Sequence, residues 1–409
     1  MKYYIIFQPS IKSIGGEEMY TRNKIVSARK NNFIPVVIHL NIGSEIYIDE
    51  LSPYVNNYSN LFRLPPSVYP KWIRNRLIHK ILKWIPNYDE GECIVESHEV
   101  IDAQWAELLA SHIKARHLAY MILESNRISK SEFNYFNFKH IRHELVGMTK
   151  QTIPDMFKPY RVLNQGSALN ATCSNVLSNI PLNEKFRLPK CDYAIGTIGR
   201  TNKEYVLPMI DAVIRFVHHY PKLQFNFLYI GGSQDKESEK AVINKLKGIP
   251  NIHFVFTGLI FPISIEMVRQ LDVCLASAGS CTAAYNCGVP TISIDGRDYK
   301  GIGIFRKTCP YSLFRGKETP PIEIEELLTQ VLIKKEFTKE EATITPDPEF
   351  TEHWDFIKKM PEQHNYYDVA QIIYPKKDIF WMIILQYFGN KTYHRITSLL
   401  QIIHKIKRH

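Results

Sequence analysis

The sequence predicts an α/β fold of two parallel-sheet domains followed by a basic helical extension. Three observations carry this expectation. Apolar runs of strand length alternate with helix-length segments in both halves of the chain, the pattern of βαβ units. Glycine or small-residue turns close several of these runs, where α/β sheets open toward a ligand. A turn-rich stretch, NQGSALNATCSNVLSN within residues 164–190, separates the halves. The length of 409 residues suits two or three domains, and a composition 45% apolar and 22% charged excludes disorder, collagen and coiled coil as global descriptions.

The elements follow in order. Tyr3–Gln8 is an apolar strand that leads to Gly15-Gly16, and a helix pattern runs over 17–31. Residues 35–40 (PVVIHL) form a second strand, 67–84 include a strongly basic helix, and 93–96 form a third strand. A helix over 103–115 and strands over 117–123 and 145–148 complete the first half. The second half repeats the alternation, with strands at Tyr193–Ile198, Phe225–Ile230, 252–257, 273–277 and 290–294. Helices over 206–220, 237–246, 263–271 and 282–286 lie between them. The expected organisation is a Rossmann-like domain over 1–165, a linker over 166–190, a second Rossmann-like domain over 191–350 and an extension over 351–409.

The seven cysteines are odd in number and contain no C-x-x-C pair, which argues against a disulfide framework or a zinc site and for a reducing compartment. The apolar start is too short for a signal h-region, and the ten-residue run IFWMIILQYF is about half of what a membrane span needs. A cytoplasmic protein is expected.

Three strand–helix junctions carry candidate chemistry. Gly15 and Gly16 allow close backbone approach to a ligand at a helix start, and equally form a plain tight turn. Gly199-Arg200-Thr201-Asn202-Lys203 offers a bidentate guanidinium and a point charge to a phosphate, or is a solvated basic turn. Ser277-Ala278-Gly279-Ser280-Cys281-Thr282 offers N–H and hydroxyl donors to a diphosphate, or packs a helix tightly on its sheet. In the first half, His98-Glu99 follow the third strand and Glu124 follows the fourth. A carboxylate at 124 suits a general base on a hydroxyl, and His98 suits a hydrogen bond to a sugar or phosphate.

The order of these segments resembles glycosyltransferases of the two-Rossmann B architecture, and in particular the family-4 type of polysaccharide biosynthesis. Gly15-Gly16-Glu17 is similar to that family's N-terminal loop, and Arg200 with Lys203 to its diphosphate-binding pair. Gly258 after Val255-Phe256-Thr257 is similar to the glycine of a following loop. Ser277 to Pro290, continuing into Thr291-Ile292, is similar to its donor-binding segment. The similarity spans residues 1–300. It implies domains facing across a cleft and a nucleotide-diphosphate sugar as substrate, with no tightly bound cofactor and no metal. It also implies transfer to a hydroxyl of a lipid-linked glycan. Donor contacts would come from Gly15, Gly16, Arg200, Lys203, Gly258, Gly279, Ser280 and Thr282, and catalytic groups from Glu124 and His98. The sequence departs from the family in two respects: positions 275 and 283, where two acids usually stand, are Leu and Ala, and Arg200 and Lys203 are three apart where the family commonly has five. That departure leaves open a catalytically inactive B-fold partner, and a nucleotide-sugar epimerase shares the architecture.

The net charge of +10 is concentrated. Residues 71–84 hold five Lys/Arg and no acid, and 376–409 hold seven against Asp378 alone. Apolar residues at helical spacing and flanking Trp make 71–84 a candidate for an anionic membrane surface, while a core-facing helix with a solvated basic face explains it equally. The apolar and basic tail over 376–409 is expected to pack on the first domain, to dip into an anionic interface, or to do both. No nucleic-acid module is recognisable, so nucleic acid is not an expected partner.

Overall fold

Each half of the alternating pattern folds into its own six-stranded sheet. The computed structural model describes residues 1–389 apart from 12–13, 40–45, 47, 56, 124–125, 174, 344–346 and 362–364, together with 392 and 396. The first sheet comprises β1 (Tyr3–Gln8), β2 (Ile34–His39), β3 (Asn57–Tyr58), β4 (Cys93–Ser97), β5 (Arg116–Met121) and β6 (Leu145–Gly147). Its order is β3-β2-β1-β4-β5-β6, parallel throughout. β1 is buried along its whole length, which is why YYIIFQ is a continuous apolar run and not an alternating one. Around this sheet lie α1 (Gly16–Lys30), α2 (Lys71–Leu82), α3 (Val100–Ile113), α4 (Phe133–Ile141) and α5 (Thr152–Phe157).

After the short β7 (Leu177–Ser178) the second sheet begins. It comprises β8 (Tyr193–Ile198), β9 (Phe225–Ile230), β10 (Ile252–Phe256), β12 (Val273–Ala276), β13 (Thr291–Ile294) and β14 (Gly301–Ile304), while β11 (Ile263–Ser264) pairs with β7. The order is β10-β9-β8-β12-β13-β14, parallel except for β14 at the edge. α6 (Val206–His219), α7 (Lys236–Leu246), α8 (Ile265–Arg269), α9 (Gly279–Asn286) and α10 (Ile324–Leu328) cover it. α6 shows the packing logic. Val206, Met209, Ile210, Val213, Phe216 and Val217 recur at helical spacing and are all buried against the sheet, each worth ~1.5–3 kcal/mol when fully buried.

The chain crosses between the domains twice. Leu169 and Ala171 sit in the first core, whereas Leu182 and Phe186 sit in the second, so the expected linker is packed along both. The return crossing precedes residue 350. Arg22 pairs with Asp347, and Ser27 Oγ donates to the Glu349 carbonyl (2.8 Å). Phe350, Trp354 and Ile357 at α11 (Thr351–Lys359) then fill the first core beside Tyr4, Tyr20 and Phe33. Val369, Ile372 and Tyr374 pack on Tyr135 and Phe136, and α12 (Lys376–Ile383) follows.

Both sheets reverse strand order at one point: between β1 and β4 in the first, and between β8 and β12 in the second. Parallel sheets place their ligand crevice outside the carboxyl ends of the strands at that point. It is where the three candidate junctions lie.

Candidate functional site

At the second switch point, β8 ends in Gly199-Arg200 and β12 ends in Ser277-Ala278-Gly279. Lys203 N–H donates to the Arg200 carbonyl (3.4 Å), so one turn carries both cations. Neither has a carboxylate within 4 Å among the described residues. Glu204, the nearby acid, accepts from Tyr299 Oη (2.8 Å). Partial desolvation and then the Arg200 guanidinium lower the proton affinity of Lys203, with Glu204 opposing. Close approach shapes this turn from beneath: a Cβ on Gly231, whose φ is +124°, would lie 2.2 Å from the Gly199 carbonyl oxygen.

α9 divides its residues by side. Cys281, Ala283 and Ala284 are buried on the sheet, whereas Gly279, Ser280 and Thr282 are half-buried. The packing and donor readings of this segment therefore fall to different residues of one helix. Before it stands Ala278 at φ 55°, ψ −132°, a conformation costing ~1–3 kcal/mol in a residue with a Cβ. Its N–H donates to the Ser312 carbonyl (2.5 Å), which holds it there. The first N–H groups of α9 begin at this bend; that of Cys281 already donates to the Ala278 carbonyl (3.0 Å), and ahead of it stand those of Gly279 and Ser280.

The two glycine turns face each other across Cys173. A Cβ on Gly16 would lie 3.6 Å from Cys173 Cβ, and one on Gly279 would lie 3.6 Å from its carbonyl oxygen. The linker thus passes between the start of α1 and the start of α9. Burial and then Glu17 push the Cys173 thiol up to about 12.

At the first switch point the sequence places charge inside the protein. Glu96 on β4 is fully buried and accepts from Tyr20 Oη (2.6 Å), from His98 Nε2 (3.0 Å) and from Tyr4 Oη. Lys24 Nζ lies 4.0 Å away and 4.7–5.2 Å from the ring centroids of Trp354, Phe350 and Tyr4. Burial alone would raise the Glu96 carboxyl, but Lys24, His98 and His353 outweigh it and hold it at about 2. Burial alone would likewise lower His98, but Glu17 and Glu96 bring it up to about 9. His98 Nδ1 is 3.4 Å from Glu17 Oε1, at the start of α1. The result is a chain, Glu96–His98–Glu17, running from the core to the crevice. Glu99, the residue before α3, is pushed up to about 7 by burial and then by Glu17, against His98. Burial, Glu99 and Glu17 raise the Asp102 carboxyl well above its usual range.

No protein-family model and no curated protein matches the sequence. Solved structures do. A glycosyltransferase from Rickettsia africae superposes with a TM-score of 0.51 at 14% identity, covering 99% of this chain and 99% of that one. The fold is of the two-Rossmann B type. Two further likenesses are looser: Anabaena HepE in complex with UDP-glucose (TM-score 0.48, 11% identity, 100% of both chains), and UDP-GlcNAc 2-epimerase from Neisseria meningitidis bound to UDP-GlcNAc (TM-score 0.45, 12% identity, 98% of this chain and 100% of that one).

Within the B-type fold the expected residues take distinct places. Gly15, Gly16, Arg200, Lys203, Gly279, Ser280 and Thr282 come to the two switch points. Gly258 does not. It ends β10, two strands from the crevice, and bridges to Gly231, whose N–H donates to Thr257 Oγ1 (3.0 Å). His98 is at the first switch point but wholly buried, with both ring nitrogens facing carboxylates. Glu124 lies outside the described residues. Glu17, Glu96 and Asp102 received no role from the sequence, and Glu99 only a position. Their signal is the polar run Glu96-Ser97-His98-Glu99 closing an otherwise apolar strand.

Proposed function

We propose that the protein is a glycosyltransferase that moves a sugar from a nucleoside-diphosphate donor to a hydroxyl of a lipid-linked glycan, in polysaccharide or cell-envelope assembly. The observation that carries this is Arg200 and Lys203, two cations with no carboxylate within 4 Å among the described residues, placed at the switch point beside the start of α9. In the reaction the bond from the anomeric carbon to the diphosphate oxygen breaks, and negative charge gathers on the leaving diphosphate. Arg200, Lys203, the first N–H groups of α9 and the Ser280 and Thr282 hydroxyls are donors placed to take up that charge. The acceptor oxygen bonds to the same carbon, and its proton passes to a carboxylate of the first domain. Glu99 suits that step because its proton affinity lies near neutrality. Glu17, tethered by His98, supplies the negative charge that helps to keep it there. Approach of the domains about Cys173 excludes the water that would otherwise hydrolyse the donor. No described helix is long and apolar enough to cross a membrane. The reading places the enzyme at the cytoplasmic face of a bilayer as a peripheral protein.

The neighbouring Glu17, Glu99 and Asp102 favour one second reading, proton transfer at a sugar carbon in an epimerase. One experiment addresses both. UDP-glucose and UDP-GlcNAc are titrated against wild type and the Arg200→Ala, Lys203→Ala double variant by calorimetry and melting. A donor at 100 times its Kd stabilises the wild type by ~2.7 kcal/mol, and the double variant loses that gain. Unchanged donor binding in the double variant refutes the diphosphate assignment. Incubation of UDP-GlcNAc without acceptor, followed by NMR, separates the readings: inversion of a ring carbon selects the epimerase.

A further inference from the structure

The C-terminal run IFWMIILQYF has an unusual place for so apolar a segment. It continues α12 through a wider turn over Ile384–Phe388, and no residue from 376 to 389 is buried. Phe388 is 61% exposed, and Phe380, Leu385 and Tyr387 are also exposed. A surface helix of a globular protein ordinarily hides one apolar stripe. This one half-buries Ile379 and Met382 against the first domain and leaves Phe380, Leu385, Tyr387 and Phe388 outside.

The fold sets the segment leading into α2 beside it. Arg63 Nη1 donates to the Gln386 carbonyl (2.7 Å), and its guanidinium lies 5.9 Å from the Tyr387 ring centroid. The chain runs from Arg63 through 64–70 into α2, which buries Leu77, Ile78 and Ile81 and turns Trp72 outward, 66% exposed. A groove of about 640 Å³ beside Trp72 is lined by apolar Leu61 and Ile73 and by the cations Arg76, Lys80 and Lys83. Lys71, Arg76, Lys83, Lys376 and Lys377 are exposed and have no carboxylate within 4 Å among the described residues. Asp378 is the one acid in α2 and 376–388 together. Two segments some 300 residues apart in sequence thus present outward aromatics and unpaired cations side by side.

We propose that α2 and the helix over 376–388 form one face that binds an anionic lipid bilayer. The aromatic side chains suit the headgroup boundary, where Trp and Tyr concentrate, and the cations suit anionic headgroups. Charge decides the occupant: a second copy of this chain would bring the same cations against themselves. Binding of this kind requires neither donor nor catalytic residue, so it stands independently of the transfer reaction.

The test is flotation of the full chain with vesicles of phosphatidylcholine alone and of phosphatidylcholine containing about 30% phosphatidylglycerol. The protein is expected to float with the anionic vesicles only, less so as salt rises. Each cation near the surface contributes about fivefold, so Arg76→Gln with Lys83→Gln weakens binding about 30-fold. Trp72→Ala with Phe388→Ala weakens it at every salt concentration. All four residues are exposed, and both variants are expected to melt with the wild type. No flotation with anionic vesicles, equal flotation with neutral ones, or binding untouched by both double variants overturns the proposal. So does a concentration-dependent dimer that Phe388→Ala dissolves.

Discussion

Replacing His98 by Gln tests the buried chain at the first switch point. His98 carries no exposed surface, and its ring lies between Glu96 and Glu17. The fold holds its proton near pH 9, against 6.5 in an unfolded chain. That difference makes the protonated ring worth about 3 kcal/mol of stability. Because the folded state binds the proton more tightly, the gain is complete below pH 6.5 and is lost as pH rises through 9. Gln cannot carry the charge at any pH. The variant is therefore expected to be less stable by about 3 kcal/mol at pH 6, with most of that gap closed by pH 10. Glu96, held at about 2, contributes equally across this window. Lys24, held at about 8, titrates in both proteins and drops out of the comparison to first order. Denaturation followed by tryptophan fluorescence is the assay. Trp72, Trp84, Trp105, Trp354 and Trp381 are the five tryptophans, and all lie in the first domain or the C-terminal segment, so the signal reports the unit that contains His98. A gap that stays constant from pH 6 to 10, or widens, refutes the chain as described.

Two substitutions probe the donor side. Ala278→Gly removes the Cβ from a strained bend and is expected to hold or raise stability, whereas Ala278→Val costs ~2 kcal/mol or more; melting followed by circular dichroism reads both. Gly231→Ala forces a methyl to within 2.2 Å of the Gly199 carbonyl, so it should displace the Arg200 turn and abolish UDP-sugar stabilisation. Tryptophan-monitored unfolding of the first domain should stay unchanged; a variant that still binds donor normally refutes that coupling.

The sheets were legible because buried parallel strands must be continuous apolar runs, and YYIIFQ and FNFLYI are unmistakable. Helix α6 was legible from its periodicity. Helix α4, FNYFNFKHI, was not: its aromatics are spread around the helix, and only packing against Val369, Ile372 and Tyr374 from the far end of the chain selects the buried side. Edge strand β14, GIGI, carries two glycines that oppose any strand propensity. Strand–turn–helix order was enough to expect Arg200, Lys203, Gly16 and Gly279 at strand–helix junctions, where the structure has them. It did not reveal that His98 is buried, because the carboxylates that make burial tolerable come from α1 and β4, and residue spacing says nothing of their meeting.

The return crossing gives this arrangement its mechanical meaning. Phe350 and Trp354 stack around Lys24, and His353 approaches Tyr20 and donates from Nε2 to the Asn170 carbonyl (2.8 Å). The C-terminal segment thus closes the same buried cluster from which Glu96 reaches His98 and Glu17. Taking Lys24 and Glu96 out of water is costly unless each is compensated, and part of that compensation comes from residues beyond 347. The first domain and the C-terminal segment must therefore move as one body. Glu17 and His98, at the edge of this cluster, are thereby held to the same framework as the C-terminal segment. A charge cluster with no exposed surface in this way fixes one wall of the first switch point, because Glu96 positions His98 and His98 faces Glu17.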